Sequence, residues 1–75
     1  MRVSYAKLWE LMRANKMKKG ELFDAAELTY TARHQLIHNE PVNLKVLMNL
    51  CKVFHCNIED VVEIFEDDIT LENNF

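Results

Sequence analysis

Residues 19–38 read KGELFDAAELTYTARHQLIH, and this stretch decides the fold of the chain. Its apolar residues are spaced as on two short helices joined by a tight turn at Glu27 and Leu28. These apolar residues are Leu22, Ala25, Ala26, Leu28, Leu36 and Ile37. Thr29 is a favourable N-cap for the second helix, because its hydroxyl can accept a hydrogen bond from an otherwise unpaired backbone amide. The small side chains at positions 25 and 26 predict that the two helices cross closely.

The segment before this stretch has the periodicity of an amphipathic helix. Its apolar side recurs at i, i+3, i+4 and i+7, which are Tyr5, Leu8, Trp9 and Met12. We expect Ser4 to cap this first helix and the helix to run to about Asn15. The second and third helices then cover residues 18 or 19 to 26 and 29 to about 38.

Two more helices are predicted after Pro41, a residue that ends a helix because it has no amide hydrogen to donate. Asn43 can cap a fourth helix that stops near His55 and Cys56. Its apolar residues at helical spacing are Leu44, Leu47, Leu50, Cys51 and Phe54. Asn57 can cap a fifth helix, whose apolar surface comprises Val61, Val62, Ile64 and Phe65.

Length and composition bound the architecture. The chain has 75 residues, which make one domain, and its hydrophobic content of 49% suits a packed core. A single Gly and a single Pro are too few turn residues for an all-β fold. We therefore predict an all-α, compact five-helix domain over residues 1–66 and an acidic C-terminal tail over residues 67–75. The predicted core contains Trp9, Met12, Leu22, Ala26, Leu36, Leu47, Leu50, Phe54, Val61 and Phe65.

The net charge of −3 is unevenly distributed along the chain. Residues 1–19 hold six basic side chains against Glu10 alone, a balance of +5. Residues 41–75 hold two basic side chains against seven acidic ones, a balance of −5. Because the local field steers a polyanion, the basic N-terminal part remains compatible with a nucleic-acid partner.

Several other classes of protein are disfavoured. No apolar stretch approaches the ~20 residues of a membrane span, and residues 1–5 lack the apolar core of a secretory signal, so we expect a cytoplasmic protein without membrane association. Cys51 and Cys56 form neither a disulfide framework nor a CxxC pair. His34 and His38 have no third ligand nearby in sequence, and no nucleophile is paired with a base. We therefore expect no metal, no cofactor and no enzymatic activity.

The order and spacing of these helices resemble the phage-repressor/Cro-like family, also called XRE-type, and its small single-domain bacterial regulators. The resemblance covers residues 4 to about 66. It rests on residues 5–12, 17–22, 25–29 and, as the best match, 43–60. It implies a helix-turn-helix at the second and third helices, with the third helix in the major groove of double-stranded DNA.

The resemblance also implies which residues contact DNA. The third helix would present Tyr30, Thr31, His34 and Gln35 to base edges. Phosphate contacts would come from Arg13, Lys16, Lys18, Lys19, Thr29, Arg33 and His38. Lys19 stands where the family contacts phosphate at the start of the second helix. Gln35 can pair with adenine through two hydrogen bonds.

Three places differ from the family pattern and leave alternatives open, namely Glu27, Arg33 and the loop of Asn39, Glu40 and Pro41, where the family carries Gly and Lys. Arg33 is either packed along its stem with its charged end in water, or a phosphate contact. Glu27 stands where the family carries Gly, and it would be strained if the turn requires a positive φ. Together with Glu40 and the acidic C-terminal half, these residues also fit a protein-binding module on the same fold. Such a module would be an antirepressor, an antitoxin-like partner or a DNA mimic.

A homodimer is the expected assembly. Members of the resembled family commonly bind two-fold-related half-sites as dimers. The predicted fifth helix and the tail also hold more apolar side chains than one face can bury, and those of the tail are Ile69, Leu71 and Phe75. The predicted dimer surface is therefore the fifth helix together with the tail.

Overall fold

The computed structural model describes residues 1–66, which form four α-helices and two short strands. In chain order the elements are β1 (Arg2–Ser4), α1 (Ala6–Ala14), α2 (Lys19–Ala25), α3 (Tyr30–Ile37), α4 (Leu44–Phe54), a 3-10 turn (Ile58–Asp60) and β2 (Glu63–Phe65). The strands pair antiparallel, with Arg2 opposite Phe65, Val3 opposite Ile64 and Ser4 opposite Glu63. The prediction of a helical domain with a helix-turn-helix is confirmed, whereas the number of helices is not.

The prediction of a fifth helix is wrong. Asn57 begins a single 3-10 turn, in which Oδ2 of Asp60 accepts a hydrogen bond from the Asn57 amide at 3.1 Å. The chain then becomes extended and pairs with β1. Val62 and Ile64 in this extended segment are β-branched and favour an extended backbone. The hydrogen-bonding partner, β1, lies about 60 residues earlier in the chain, so local periodicity cannot reveal it.

The predicted caps of the third and fourth helices are confirmed. Oγ1 of Thr29 accepts a hydrogen bond from the Ala32 amide at 3.2 Å, and Oδ1 of Asn43 accepts one from the Val46 amide at 3.0 Å. Each cap satisfies one of the backbone amides that the first turn of a helix leaves unpaired.

The start of α1 differs by one residue from the prediction. Tyr5, not Ser4, occupies the N-cap position, while Oγ of Ser4 accepts a hydrogen bond from the Ala6 amide at 3.2 Å. The Tyr5 side chain is buried, and its hydroxyl donates to the carbonyl oxygen of Glu40 at 2.6 Å. The Tyr5 amide donates to Oδ1 of Asn39 at 3.4 Å. The start of α1 is thereby tied to the loop that follows α3.

One core joins the four helices to the 3-10 turn and the strands. Its buried residues are Tyr5, Leu8, Met12, Leu22, Phe23, Ala26, Leu28, Ala32, Leu36, Val46, Leu50 and Val61. Six of the ten predicted core residues are among them, and Trp9, Leu47 and Phe54 pack against the cluster while partly exposed. The prediction that Phe65 belongs to the core is wrong. Phe65 lies on the strand β2, and not on a helix packed against the core, and its side chain is 37% exposed.

Candidate nucleic-acid interface

One side of α3 is buried and the opposite side is open. Ala32 is 4% exposed and Leu36 is 0% exposed, and their spacing of four residues puts both on one side of the helix. The side turned away from the core carries all four predicted base-contacting residues, which are Tyr30, Thr31, His34 and Gln35. Tyr30 is 82% exposed, Thr31 and His34 are exposed, and Gln35 is half-buried. The structure therefore brings these four side chains together on an accessible helix surface.

The turn between α2 and α3 forms without the expected glycine. Glu27 has a φ of 56°, in the left-handed region that favours Gly. The Glu27 amide donates to the carbonyl of Asp24 at 3.0 Å, and the Leu28 amide donates to the carbonyl of Phe23 at 3.1 Å. Leu28 is buried directly after the turn. These contacts hold the strained backbone in place, so the steric cost predicted for Glu27 is present in the folded protein.

Arg33 connects α2, the turn and α3. Its Nε donates to the carbonyl oxygen of Leu28 at 3.0 Å, and its Nη2 lies 3.2 Å from Oδ1 of Asp24. The guanidinium carbon also lies 5.6 Å from the centroid of the Phe23 ring. The Arg33 guanidinium is therefore bound by protein groups and does not extend freely into water. A guanidinium carries five N–H donors, so some of them remain available for other contacts.

His34 and His38 lie against each other at the C-terminal end of α3. Their ring centroids are 4.2 Å apart, with an angle of 37° between the planes. His34 is on α3, and His38 is the C-cap residue directly after it. Within residues 1–66 there is no group of three or more His, Cys, Asp or Glu side chains that could hold a metal ion.

Exposed basic residues surround the start of α2. Arg13 is in the last turn of α1, Lys16 is in the connection with a φ of 57°, and Lys18 is the N-cap of α2. Lys19 begins the helix, and its Nζ lies 4.8 Å from the centroid of the Trp9 ring. None of the four takes part in an ion pair within the described part of the chain. Their charges are therefore available to a polyanion.

A polar cleft lies between α3 and the start of α4. Its volume is about 450 Å³, and its polar lining comes from Glu27, Thr29, Thr31, Gln35, Asn43, Lys45 and Asn49. Sequence reasoning missed Lys45 and Asn49 as candidate site residues. Lys45 is exposed in the first turn of α4, and Nδ2 of Asn49 donates to the carbonyl of Ala26 at 3.2 Å. The Asn43 cap signalled where this helix begins, but only the fold places it beside α3.

Two groups outside this surface have raised pKa values. Burial raises the pKa of the Tyr5 hydroxyl, which keeps it protonated and able to donate to the loop after α3. Burial, together with the neighbouring Cys51 thiol, raises the pKa of Cys56 to about 11. Both cysteines are free and half-buried. A raised pKa keeps Cys56 in its unreactive thiol form near neutral pH, which fits a packing role.

No helix within residues 1–66 is long and apolar enough to cross a membrane.

Comparisons with known proteins point to one class of domain. Residues 7–67 match the family described as the Cro/C1-type HTH DNA-binding domain. The chain is also similar to a crystal structure of the transcriptional regulator VanUg, with 39% sequence identity and a TM-score of 0.83. That similarity covers 88% of each chain. No curated protein matches the chain.

Proposed function

Because this chain belongs to the Cro/C1-type helix-turn-helix family, we propose that it is a transcriptional regulator whose α3 binds base edges in the major groove of DNA. One observation carries the proposal. The exposed polar side of α3 borders an accessible cleft, and the exposed basic residues at the start of α2 form no ion pair within residues 1–66. This arrangement supplies both kinds of contact that specific DNA binding requires, to bases and to phosphates.

Four residues of α3 are assigned to base contacts. Gln35 can bind adenine through two hydrogen bonds, and Thr31 can contact a base edge or a thymine methyl group. Tyr30 and His34 extend the same surface along the helix. Gln35 is half-buried in the wall of the cleft, so its rotamers are restricted and less entropy is lost on binding.

The phosphate contacts fall into two groups on either side of α3. Arg13, Lys16, Lys18 and Lys19 would bind one stretch of backbone at the start of α2. Thr29 and Lys45, at the cleft, and His38, at the end of α3, would bind another. Arg33 is assigned mainly to positioning, because its bonds to Leu28 and Asp24 fix α3 relative to α2.

The alternative of a protein-binding module has less support. Glu27 and Arg33 take part in the turn and in helix packing, and the Glu40 carbonyl accepts the Tyr5 hydroxyl. Of the acidic residues after α4, Glu63 lies beside α1, where Nζ of Lys7 is 3.8 Å from its Oε2. The side chains of Arg33 and Glu63 therefore have partners within the domain, which weakens the case for the alternative.

Selection from a random duplex library at low and moderate salt tests the proposal. We expect enrichment of a defined sequence at moderate salt and weaker, sequence-independent binding at low salt. Electrostatic attraction is strongest at low salt, so an absence of any duplex binding there would refute the regulator function and favour a protein partner.

Two variants separate the contributions of phosphate and base contacts. Lys19→Ala should weaken binding to every duplex and lower the salt slope by about one unit, because one phosphate contact is lost. Gln35→Ala should cost ~1–3 kcal/mol on the selected sequence and relax the preference at one base pair, with little effect on non-specific binding. Fluorescence anisotropy titrations over a range of salt concentrations measure both.

Lys7→Ala is the matched control for Lys19→Ala. It removes the same charge, but Nζ of Lys7 already lies 3.2 Å from the Glu59 carbonyl oxygen and near the Glu63 carboxylate. We expect its salt slope to equal that of the parent protein. Equal losses in both variants would mean that net charge, not position, governs binding, and this would contradict the assigned role of Lys19.

The proposal includes a homodimer. The sequence-based surface for it combined a fifth helix with the tail. Its helical part is wrong, because residues 58–65 form a 3-10 turn and a strand, while the tail, residues 67–75, lies outside the described residues.

A further inference from the structure

Two aromatic rings connect α1 to α2, and a basic side chain lies against each ring. The rings of Trp9 and Phe23 have centroids 6.3 Å apart and an angle of 70° between their planes, which is the edge-to-face arrangement that aromatic pairs prefer. Nζ of Lys19 lies 4.8 Å from the Trp9 centroid, and the guanidinium carbon of Arg33 lies 5.6 Å from the Phe23 centroid. The side chains of Lys19, Trp9, Phe23 and Arg33 therefore form one continuous row from α1 to α3, which we call the aromatic row.

We propose that Trp9 is a positioning residue for DNA binding, because its ring holds the ammonium group of Lys19 at the start of α2. The proposal rests on the proposed function, which assigns a phosphate contact to Lys19. It gives Trp9 a role beyond the packing that its helical spacing predicts. The contact between the ring and the ammonium group is measurable without DNA, so a failure of this proposal differs from a failure of the regulator function.

An aromatic ring can hold a cation without neutralising it. The face of an indole ring attracts a cation through the quadrupole of the ring, whereas a carboxylate would cancel the charge. Lys19 takes part in no ion pair within residues 1–66. The Trp9 ring therefore restricts the position of the ammonium group and leaves its charge available to a phosphate group.

Holding the ammonium group before DNA binds lowers the entropy lost on binding. A lysine side chain has a flexible four-carbon stem and loses much of its rotamer freedom when it contacts one phosphate group. At an exposed site, contact with a Trp ring is favoured about two- to fivefold over a free ammonium group. Part of the freedom of Lys19 is therefore lost on folding, and this preorganisation raises affinity.

The position of the Trp9 ring is itself fixed by the helix-turn-helix. Trp9 packs against the core while partly exposed, and Phe23 on α2 is 5% exposed. Phe23 also lies against the Arg33 guanidinium, whose Nε donates to the Leu28 carbonyl. The aromatic row therefore links the ammonium group of Lys19 to α3, so the phosphate-binding position is set relative to the helix assigned to the major groove.

Trp9→Leu and Trp9→Phe separate positioning from packing. Both keep an apolar side chain, but only Phe retains a ring face for the ammonium group. We expect Trp9→Leu to weaken binding to every duplex about two- to fivefold while the salt slope stays that of the parent protein, because the charge of Lys19 is still present. Trp9→Phe should bind more tightly than Trp9→Leu. Fluorescence anisotropy measures affinity and salt slope, and circular dichroism checks that both variants are folded.

A double-mutant cycle with Lys19→Ala tests whether Trp9 acts through Lys19. In the Lys19→Ala background, Trp9→Leu should cause no further loss of affinity, because no ammonium group is left to position. Phe54→Leu is the matched control. Phe54 is another partly buried aromatic residue packed against the core, and no cation lies over its ring within residues 1–66. Its replacement should leave affinity and salt slope unchanged.

NMR spectroscopy of the free protein measures the contact without DNA. The ring current of Trp9 should shift the ε-methylene protons of Lys19 upfield of those of the exposed Lys16, which has no ring over it within residues 1–66. In Trp9→Leu the Lys19 protons should return to the position of the Lys16 protons.

Three outcomes would overturn the proposal. The first is an unshifted Lys19 in the parent protein, and the second is a Trp9→Leu variant that binds DNA as tightly as the parent. The third is an equal loss of affinity from Trp9→Leu with and without the Lys19 ammonium group, which would assign Trp9 to packing alone. A parent protein that shows the shift but binds no duplex would refute the regulator function, and with it the DNA-binding role of Trp9, while the contact between ring and ammonium group would stand.

Discussion

Glu27 carries a local energetic cost that the surrounding contacts offset. Its φ of 56° is unfavourable for a residue with a Cβ atom, by about 1–2 kcal/mol. Two backbone hydrogen bonds close the turn, and burial of Leu28 directly after it stabilises the same conformation. Arg33 adds a bond to the Leu28 carbonyl from the far side of the turn. The turn is therefore held by its neighbours and not by the preference of its central residue.

Glu27→Gly should stabilise the protein by ~0.5–1 kcal/mol. Glycine removes the steric strain at a positive φ, although it also gains entropy in the unfolded chain, which offsets part of the benefit. Urea unfolding measures the change.

Glu27→Ala is the control for this prediction. It removes the same carboxylate but keeps a Cβ atom, so the strain should persist and the free energy of unfolding should change little. Equal stabilisation by Gly and Ala would show that the charge of Glu27, not its backbone conformation, is the unfavourable feature.

The helix α4 has a buried side and an exposed side, and this division determines how much each of its leucines contributes to the free energy of unfolding. Leu50 is 0% exposed, whereas Leu47 is only partly buried against the core. The free energy lost on truncation rises with the number of contacts removed and the volume of the cavity left behind. The structure therefore makes Leu50 the more important of the two, although both have the same helical spacing in the sequence.

Leu50→Ala should destabilise the domain by ~2–5 kcal/mol, and Leu47→Ala by only about 1–2 kcal/mol. For a small domain the first loss is a large part of the total stability. Urea denaturation of both variants gives the comparison. A larger loss for Leu47 than for Leu50 would contradict the packing of α4 described above.

The domain as a whole separates its charges by position. Exposed basic residues are grouped at the α1–α2 connection, while Glu63 and the Glu59 carbonyl lie near Lys7 on the other side of α1. The net charge of −3 therefore says little about DNA binding. What matters is the field around α3, to which the basic residues at the α1–α2 connection, Lys45 and the acidic Glu27 all contribute.

The proposed dimer makes a prediction about the DNA sequence itself. Duplexes selected by the parent protein should be inverted repeats, with half-site centres about 10 base pairs apart, because a two-fold assembly binds two-fold-related sites. Sequencing of the selected pool measures this spacing. A pool of single half-sites from the parent protein would contradict a dimeric mode of binding.

The candidate site was predictable from the sequence to the extent that it depends on one helix. The resemblance to the family placed Tyr30, Thr31 and His34 on the open side of α3, and the burial of Ala32 and Leu36 on the other side leaves all three exposed. The role of Arg33 was not predictable, because its partner Asp24 lies on the preceding helix. Lys45 was missed for a similar reason, since its neighbours across the cleft belong to α3.

The sequence by itself determined the four helices, their caps at Thr29 and Asn43, and the turn at Glu27, because these features depend on residues within a few positions of one another. Tertiary structure alone decided that the segment after Asn57 pairs with β1 as a strand. β-branched residues permit an extended backbone, but only β1, brought close by the folding of the helices, supplies the hydrogen-bonding partner. The same long-range pairing leaves Ile64 and Phe65 exposed on β2, although a helical pattern had assigned both to an apolar helix surface.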